Sequence, residues 1–385
     1  VDRTTGQLKA SAVQLTYPHA GSRTWTDGHT GEVFDLFNEV ILGSANRIAA
    51  AYHTTRIHIF HNTSQLNAAW RQTFADGKVR GGELARRPEM MEYYENSIWK
   101  KNAITVAGGN GPGGGINQIH DPHALFLDND QTIYIADINN DRIVEWKSGA
   151  GCGRIIAGGN GQLHHPNDVI VDKARNSVFI CEPLSRRVSR WSLRNTYTRE
   201  TIISGIACNG LTMDEQGFLY VSDFERYDVR RWQVGETHGI VVAGGNGAGN
   251  RLDQFNVPRK IFVDRDHSVY VADVHNDRVM KWVKGAKEGI VVAGGRGRGN
   301  SLSQLSFPEA IIVDQLGALY IADRYNHRIM RWLKGNTEGH IFVGEGGAGS
   351  LPNQLYHPHG LSFDLHGNLY VADGWNNRIQ KFEIQ

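Results

Sequence analysis

Short apolar runs recur along this chain at a nearly constant spacing, with the same polar residues at their edges. The clearest copy reads Pro-Glu-Ala-Ile-Ile-Val-Asp at 308–314, Leu-Tyr-Ile-Ala-Asp at 319–323 and Asn-His-Arg-Ile-Met-Arg-Trp at 326–332. The first run is mostly apolar, whereas the third alternates polar with apolar residues, as a half-buried strand does. The pattern predicts three short strands in this unit. A fourth, outermost strand is predicted at 290–293, directly before a glycine run.

Aligned positions show six copies of this unit. The aspartates that follow the first strand are Asp128, Asp172, Asp214, Asp264, Asp314 and Asp364. The acidic residues that end the second strand, at intervals of 45, 41, 50, 50 and 50 residues, are Asp137, Glu182, Asp223, Asp273, Asp323 and Asp373. The aromatic residues that end the third strand are Trp146, Trp191, Trp232, Trp282, Trp332 and Phe382. Such a period, filled with short strands, is typical of β-propeller blades.

The last copy ends after its third strand, and a matching fourth strand occurs before the first complete copy. Residues 103–111 (Ala-Ile-Thr-Val-Ala-Gly-Gly-Asn-Gly) have the pattern of an outermost strand and its glycine turn. We expect this segment to complete the last blade, because the closure leaves no open sheet edge. The sequence therefore predicts an all-β, six-bladed propeller over residues 96–385.

The repeat resembles the NHL repeat over roughly residues 97–385. Three motifs carry the resemblance, namely Pro-x-x-Ile/Leu-x-Val/Phe-Asp, Tyr-Val/Ile-Ala-Asp and Asn-x-Arg-Ile/Val, and they are clearest at 258–282, 308–332 and 358–382. Four residues of the second and third copies depart from the pattern: Cys181, Glu182, Cys208 and Asp228. The resemblance implies a propeller that binds RNA, protein or carbohydrate, and the wider group includes metal-dependent lyases and hydrolases.

The recurring acidic and arginine residues are expected to serve the scaffold. Asp323 lies between a strand and a turn, where its carboxylate can accept hydrogen bonds from backbone amides two residues further on. Arg328, across that turn, is expected to pair with a neighbouring copy. Because the chain repeats these residues and an active site is needed only once, we assign them a structural role.

Residues 1–95 do not carry the repeat and show no family resemblance. Apolar or alternating runs predict β-strands at residues 12–17, 32–42, 47–53 and 56–61. Residues 83–101 predict a short helix that begins or is interrupted at Pro88. This stretch is interpreted either as a small domain or as an arm that wraps on the propeller.

Composition narrows the function only slightly. The chain has 385 residues, of which 40% are hydrophobic, and a formal charge of +1. No apolar run approaches the length of about 18 residues that a membrane span needs. The small net charge gives no support for nucleic-acid binding, although a basic face would not require an overall excess.

The chain start and the cysteines favour a secreted protein. The chain opens on Val1 without a signal-like segment, as either a processed secreted protein or a shortened chain would. Asn62 begins an Asn-Thr-Ser sequon and is a candidate glycosylation site. Cys181 and Cys208 are placed at strand ends on the same face of adjacent blades, so they are a candidate disulfide pair.

Propellers bind ligands at the mouth of the central channel, where loops from every blade converge. The residues that open the six innermost strands vary while their surroundings repeat, and they are candidate ligand-binding residues: His123, Asn167, Asn209, Arg259, Glu309 and His359. Because the last blade adjoins the first, Glu309, His359, His123 and Asn167 are expected to form one arc.

Two imidazoles and a carboxylate in this arc are residue types that bind divalent ions or share acid–base work. His123, His359 and Glu309 are therefore candidate catalytic residues, and the two histidines are candidate ligands of Zn²⁺ or Ca²⁺. In metal-dependent lyases of propeller type, histidines from different blades hold the metal near the axis. A third such histidine is lacking here, and a polar, water-filled mouth is the simpler interpretation.

The turns after the second strands add three aromatic residues as candidate ligand-binding groups: Tyr227, Tyr325 and Trp375. Rings beside amides and charges suit a protein, a carbohydrate or a small polar ligand. Neither a Gly-x-Ser-x-Gly nor a Cys-x-x-Cys motif is present. We predict a binding propeller, with a metal-assisted lyase or hydrolase as the alternative and a nucleic-acid-binding protein as a further alternative.

Overall fold

The structure, a computed structural model, describes residues 99–194, 198–314 and 316–384 together with four short strands nearer the N-terminus. The chain divides into two compact units, Val1–Arg80 and Gly81–Gln385. The first unit contains two antiparallel strand pairs: β1 (Thr24–Thr26) with β2 (Val33–Asp35), and β3 (Ala49–His53) with β4 (Arg56–Phe60).

Three of these strands, β2, β3 and β4, lie within runs that the sequence predicts as strands, whereas β1 does not. Several other predictions fall outside the described residues: the strand at 12–17, the helix near Pro88, the boundary at 95/96 and the sequon at Asn62.

The second unit is a ring of six four-stranded antiparallel sheets, which confirms the predicted six-bladed propeller. It begins with β5 (Ile104–Gly108), and the first blade follows as β6 (Pro122–Leu127), β7 (Ile133–Asp137), β8 (Arg142–Trp146) and β9 (Arg154–Gly158). Blade 2 consists of β10 (Asp168–Asp172), β11 (Ser177–Glu182), β12 (Arg187–Ser192) and β13 (Arg199–Ser204). Blade 3 consists of β14 (Cys208–Met213), β15 (Leu219–Asp223), β16 (Asp228–Trp232) and β17 (Ile240–Gly244).

The remaining blades follow the same order from the axis outwards. Blade 4 consists of β18 (Pro258–Val263), β19 (Val269–Asp273), β20 (Arg278–Trp282) and β21 (Ile290–Gly294). Blade 5 consists of β22 (Pro308–Val313), β23 (Leu319–Asp323), β24 (Arg328–Trp332) and β25 (His340–Val343). Blade 6 consists of β26 (Pro358–Phe363), β27 (Leu369–Asp373), β28 (Arg378–Phe382) and β5. Single 3₁₀ turns join the second and third strands of four blades, at Ile138–Asn140, Val274–Asn276, Arg324–Asn326 and Gly374–Asn376.

Blade 6 is closed by the upstream strand, as the sequence predicts. β5 pairs antiparallel with β28, with Ile379 opposite Ala107 and Lys381 opposite Ile104. The core lies between neighbouring blades, where the second strands are buried along their whole length. The third strand of blade 5, predicted to be buried on one face only, is buried along its whole length. Its Arg331 side chain lies over the ring of Tyr320 instead of facing solvent.

The repeated acidic residue and arginine belong to one blade, which corrects the expected pairing between copies. Arg328 Nε donates to Asp323 Oδ2 at 2.8 Å, and its Nη atoms donate to three backbone carbonyls of the segment that enters blade 5. Asp323 Oδ1 accepts from the backbone amide of Ser306, 17 residues earlier, rather than from the following turn. Asn326 Nδ2 also donates to Asp323. The motif therefore fastens the incoming loop to its own blade.

Blades 2 and 3 are joined by a disulfide between Cys181 and Cys208. Their Cα atoms lie 5.6 Å apart, and both residues are fully buried. Asp228 replaces the motif arginine in blade 3, and its carboxylate pairs with Arg230 in the same strand. The two blades that depart from the repeat are thus the two that the disulfide connects.

Candidate metal- and ligand-binding site at the channel mouth

The mouth is shaped by the residue that precedes each innermost strand. In five blades this residue stands before proline and has a positive φ between 53° and 59°: Asp121, His165, Val257, Phe307 and His357. Left-handed backbone is strained for residues other than glycine, and neighbouring contacts must hold it. The backbone amide of Asp121 donates to Asn377 Oδ1 of the preceding blade at 3.0 Å. The turn of one blade therefore fixes the mouth residue of the next.

Asp121, His123 and His359 converge at this mouth. Asp121 Oδ2 lies 3.4 Å from His123 Nε2, and Asp121 Oδ1 lies 3.5 Å from His359 Nε2. The two imidazole rings are stacked, with centroids 4.0 Å apart. One potential ligand atom from each of the three residues lies within 4.8 Å of the other two. We call these three residues the mouth cluster.

His359 and Asp121 are held in the protonation states that bind metals. His359 is fully buried, and neither of its ring nitrogens has a hydrogen-bond partner among the described residues. Burial lowers the pKa of His359 to about 3, so its imidazole is neutral at pH 7. Burial acts to raise the pKa of Asp121, but the adjacent imidazoles outweigh it and hold that pKa well below its usual range. A neutral imidazole beside a carboxylate is the form that coordinates a cation.

Glu309 lies near the cluster but is engaged elsewhere. Arg259 Nη1 donates to both of its carboxylate oxygens, at 2.7 and 2.6 Å, and Arg324 Nη1 lies 3.6 Å away. Burial acts to raise the pKa of Glu309, but Arg259, His359 and Arg324 hold it well below its usual range. Its Oε1 lies 4.0 Å from His359 Nδ1, on the side of the ring away from Asp121. Glu309 therefore suits a supporting role behind His359 rather than a ligand role.

The carboxylate that joins the two histidines is Asp121, which the sequence analysis missed. The six candidate residues open the innermost strands, directly after a proline in five blades, whereas Asp121 stands before Pro122. The positions before the other prolines also vary from copy to copy, and this variation is the signal that could have found it.

Asn167 and Lys260 shape the cluster's surroundings. His123 Nδ1 lies 3.1 Å from Asn167 Oδ1, an oxygen that can accept a hydrogen bond from a protonated Nδ1. In that tautomer Nε2, which faces Asp121, would be the nitrogen that coordinates a cation. Lys260 was also missed from the sequence; it is buried, and its Nζ donates to the backbone carbonyl of Asn167 in blade 2 and, at 3.4 Å, to that of Asn209 in blade 3. This buried lysine therefore links blade 4 to blades 2 and 3 where their innermost strands begin.

Gly374 allows the first 3₁₀ residue of blade 6 to lie against the cluster. A Cβ atom there would be 2.4 Å from His359 Cδ2 and 2.8 Å from Asp121 Oδ1. The corresponding positions of the other blades all carry side chains: Ile138, Pro183, Phe224, Val274 and Arg324. Only a glycine at this position leaves His359 and Asp121 where they are.

The three predicted aromatic residues do not all come together. Tyr325 and Trp375 are 42% and 50% exposed, and both rings contact His357, with centroids 5.1 and 4.1 Å away. Tyr227 is half-buried and packs against the core between blades 3 and 4. We call Tyr325, His357 and Trp375 the rim platform.

Five arginines of blades 2 and 3 are paired with carboxylates, and Arg231 lies over the Phe218 ring. The pairs are Arg186 with Glu225, Arg187 with Glu182, Arg190 with Glu200, Arg226 with Asp223 and Arg230 with Asp228. Paired charges offer little attraction to a phosphate backbone. Within the described part of the chain, no helix has the length and apolar character that a bilayer crossing demands.

Comparisons with known proteins agree on the fold. The sequence model of the NHL repeat matches residues 355–382, which confirms the predicted resemblance, and blades 4 and 5 carry the same motif residues. The chain is thus a six-bladed β-propeller with an NHL repeat in its last blade. No curated protein sequence matches it.

Solved structures of similar fold share little sequence with this chain. A structural genomics protein of unknown function from Bacteroides thetaiotaomicron is 15% identical, with a TM-score of 0.61, over 74% of this chain and 76% of that one. An auxiliary nutrient binding protein from the same organism is 16% identical, with a TM-score of 0.59, over 74% and 77%. A streptogramin B lyase is 9% identical, with a TM-score of 0.50, over 70% and 95%. At these identities the likeness concerns the fold alone.

Proposed function

We propose that this protein is a ligand-binding propeller that holds a Zn²⁺ ion in the mouth cluster and binds a polar ligand over it. The supporting observation is the buried, unpartnered imidazole of His359 facing Asp121 and His123. Two imidazoles and one carboxylate are a common donor set for zinc, whereas calcium prefers six to eight oxygen ligands. We therefore favour zinc among the two ions that the sequence suggests.

The surroundings of the mouth cluster support binding of a ligand. The buried Lys260 links the innermost strands of blades 2, 3 and 4, and the rim platform adjoins the cluster through Gly374, which directly precedes Trp375. A bound cation supplies a positive centre for carboxylate or hydroxyl oxygens. An auxiliary nutrient binding protein of the same fold is in keeping with such a role.

Zinc stoichiometry tests this proposal. Protein prepared without chelators or a histidine tag and dialysed against trace zinc is expected to carry one zinc per chain at the mouth. The double change His123→Ala and His359→Ala is expected to remove that zinc, while His275→Ala, which removes an exposed histidine from the same rim, is expected to retain it. Equal zinc contents in the two variants, measured by plasma mass spectrometry, would overturn the proposal.

The second candidate is a metal-assisted lyase or hydrolase. One observation favours it: the side chains of Asp121 and His123 are 19% and 13% exposed, so a cation held there has a side open to solvent, as catalytic zinc sites do. Mass spectrometry of a bound ligand after incubation distinguishes the two roles, since an enzyme converts the ligand and a binding protein returns it intact. A nucleic-acid-binding protein would instead show affinity that falls steeply with salt.

A further inference from the structure

We infer that the ligand is an oligosaccharide that carries a carboxylate, with its acidic sugar on the mouth cluster and a neighbouring sugar ring stacked on the rim platform. This inference rests on the proposed cation site and names the chemical class that the site and its surroundings fit together. Four features of the mouth carry it.

The first feature is the exposure of the platform rings. Large aromatic side chains of this propeller are mostly buried, and three of its tryptophans, Trp191, Trp282 and Trp332, are almost inaccessible. Those three belong to third strands, whereas Trp375 lies on the 3₁₀ turn of blade 6 and is half exposed. His357 lies beneath it, with the two ring planes 33° apart. The platform thus offers a supported, open ring face at the rim.

The second feature is continuity with the mouth cluster. Gly374 directly precedes Trp375 and lies against His359 and Asp121. Asn377, two residues after Trp375, accepts the hydrogen bond from the backbone amide of Asp121. Trp375 is therefore held between two residues that contact the cluster, and one ligand of a few sugar units can reach both the cation and the ring.

The third feature is charge. Around the mouth, Arg259 and Arg324 share the single carboxylate of Glu309, so this group has an excess positive charge. A divalent cation on Asp121 adds a further positive charge. The charges of Lys260 and Asp168, which lie 3.4 Å apart, offset each other. A carboxylate on the ligand complements the net positive charge that remains at the mouth.

The fourth feature is the pairing of a flat apolar surface with a polar centre. The face of an aromatic ring carries partial negative charge and attracts the polarised C–H groups on the face of a sugar ring. Arg324 lies over the Tyr325 ring, with its Cζ atom 5.3 Å from the ring centroid, and can donate to sugar hydroxyls from there. A uronic acid unit next to another sugar supplies the carboxylate, the hydroxyls and the ring face in one molecule.

Calorimetry with defined trisaccharides tests the inference on the full, zinc-loaded chain. The probes are trimers of galacturonate, mannuronate and guluronate, a neutral galactose trimer, and a tri-aspartate peptide. At least one uronate trimer is expected to bind at least tenfold more tightly than the neutral trimer and the peptide. Equal binding of the neutral trimer would overturn the role of the carboxylate, and equal binding of the peptide would overturn the carbohydrate class.

Two variants locate the sugar. Trp375→Ala is expected to weaken uronate binding at least tenfold and to leave zinc binding unchanged. Leu184→Ala removes an exposed apolar side chain from the corresponding turn of blade 2 and is the matched control. It is expected to change the affinity for the uronate trimer less than twofold. If zinc binds but no uronate trimer does, or Trp375→Ala has no effect, the inference is wrong and the zinc proposal stands. If zinc does not bind at the mouth, the proposed function itself fails.

Discussion

The repeated motif within the blades and the mouth cluster are both groups of buried polar side chains, but they differ in how their atoms are paired. In the motif, the carboxylate oxygens of Asp323 accept from Ser306, Asn326 and Arg328. In the mouth cluster, His359 is as deeply buried and yet its two ring nitrogens have no hydrogen-bond partner among the described residues. Burying an unpaired polar group costs free energy, so natural proteins keep few of them without a purpose. For Asp323 and His359 the difference lies in hydrogen-bond pairing, since both side chains are fully buried, and it marks the mouth cluster as the candidate site.

The largest effect is expected on stability, from breaking the ion pair between Asp323 and Arg328 in the repeated motif. Arg328→Ala leaves the carboxylate of Asp323 buried without its charged partner, and it also frees three backbone carbonyls. We expect the free energy of unfolding to fall by about 3–5 kcal/mol, as when one partner of a buried ion pair is removed. Urea titration followed by tryptophan fluorescence measures this change.

Arg296→Ala removes an exposed arginine near the same loop and serves as the control. It is expected to change stability by less than about 0.5 kcal/mol, as surface substitutions do. Similar losses in the two variants would show that the motif is not a scaffold element.

The disulfide between blades 2 and 3 is expected to stabilise the ring without affecting the mouth. It closes a separation of 27 residues, and replacing both Cys181 and Cys208 with alanine should lower stability by about 2–4 kcal/mol. Zinc content should stay at one per chain. Non-reducing peptide mapping checks the bond itself, and free thiols at both positions would contradict it. Secretion, which such a bond favours, stays a prediction.

A smaller effect is expected from the residue that orients His123. Asn167→Leu removes the oxygen that faces His123 Nδ1 and should weaken zinc binding by about 10–100-fold, as loss of supporting hydrogen bonds does at metal sites. Asn167→Asp keeps an acceptor there and should restore most of the affinity. Competition with a chelating dye measures both, and failure of the aspartate to rescue binding would argue against an orienting role.

Gly374→Ala is expected to have the smallest of these effects, about tenfold on zinc affinity. Its added methyl group would overlap His359 and Asp121, which must then move. Gly151→Ala is the control, because a Cβ atom there meets no other atom within 4 Å. Equal zinc affinity in the two variants would show that the close contact at Gly374 is unimportant.

The sequence was sufficient for the fold because its periodic signal is repeated six times. The interval between the acidic residues, and the strand pattern at Ile104 and its neighbours, predicted both the blade count and the closure. The pairing of Arg328 was predicted wrongly, because a sequence repeat does not show whether two of its residues meet within a copy or across copies.

The mouth was predictable only in part. The arc of His123, His359 and Asn167 follows from blade order. Asp121 enters the cluster through a left-handed backbone conformation before proline, which strand periodicity does not reveal. The distance between His359 and Gly374 likewise depends on the packing of a turn against a strand start, and a residue pattern contains no such distance.

Anomalous diffraction at the zinc edge, from crystals of the zinc-loaded full chain, is the most direct test of the central claim. We expect one strong peak about 2.0–2.1 Å from the Nε2 atoms of His123 and His359 and about 2.0–2.2 Å from a carboxylate oxygen of Asp121. Zinc peaks at other histidines with no peak at the mouth cluster would contradict the proposed zinc site.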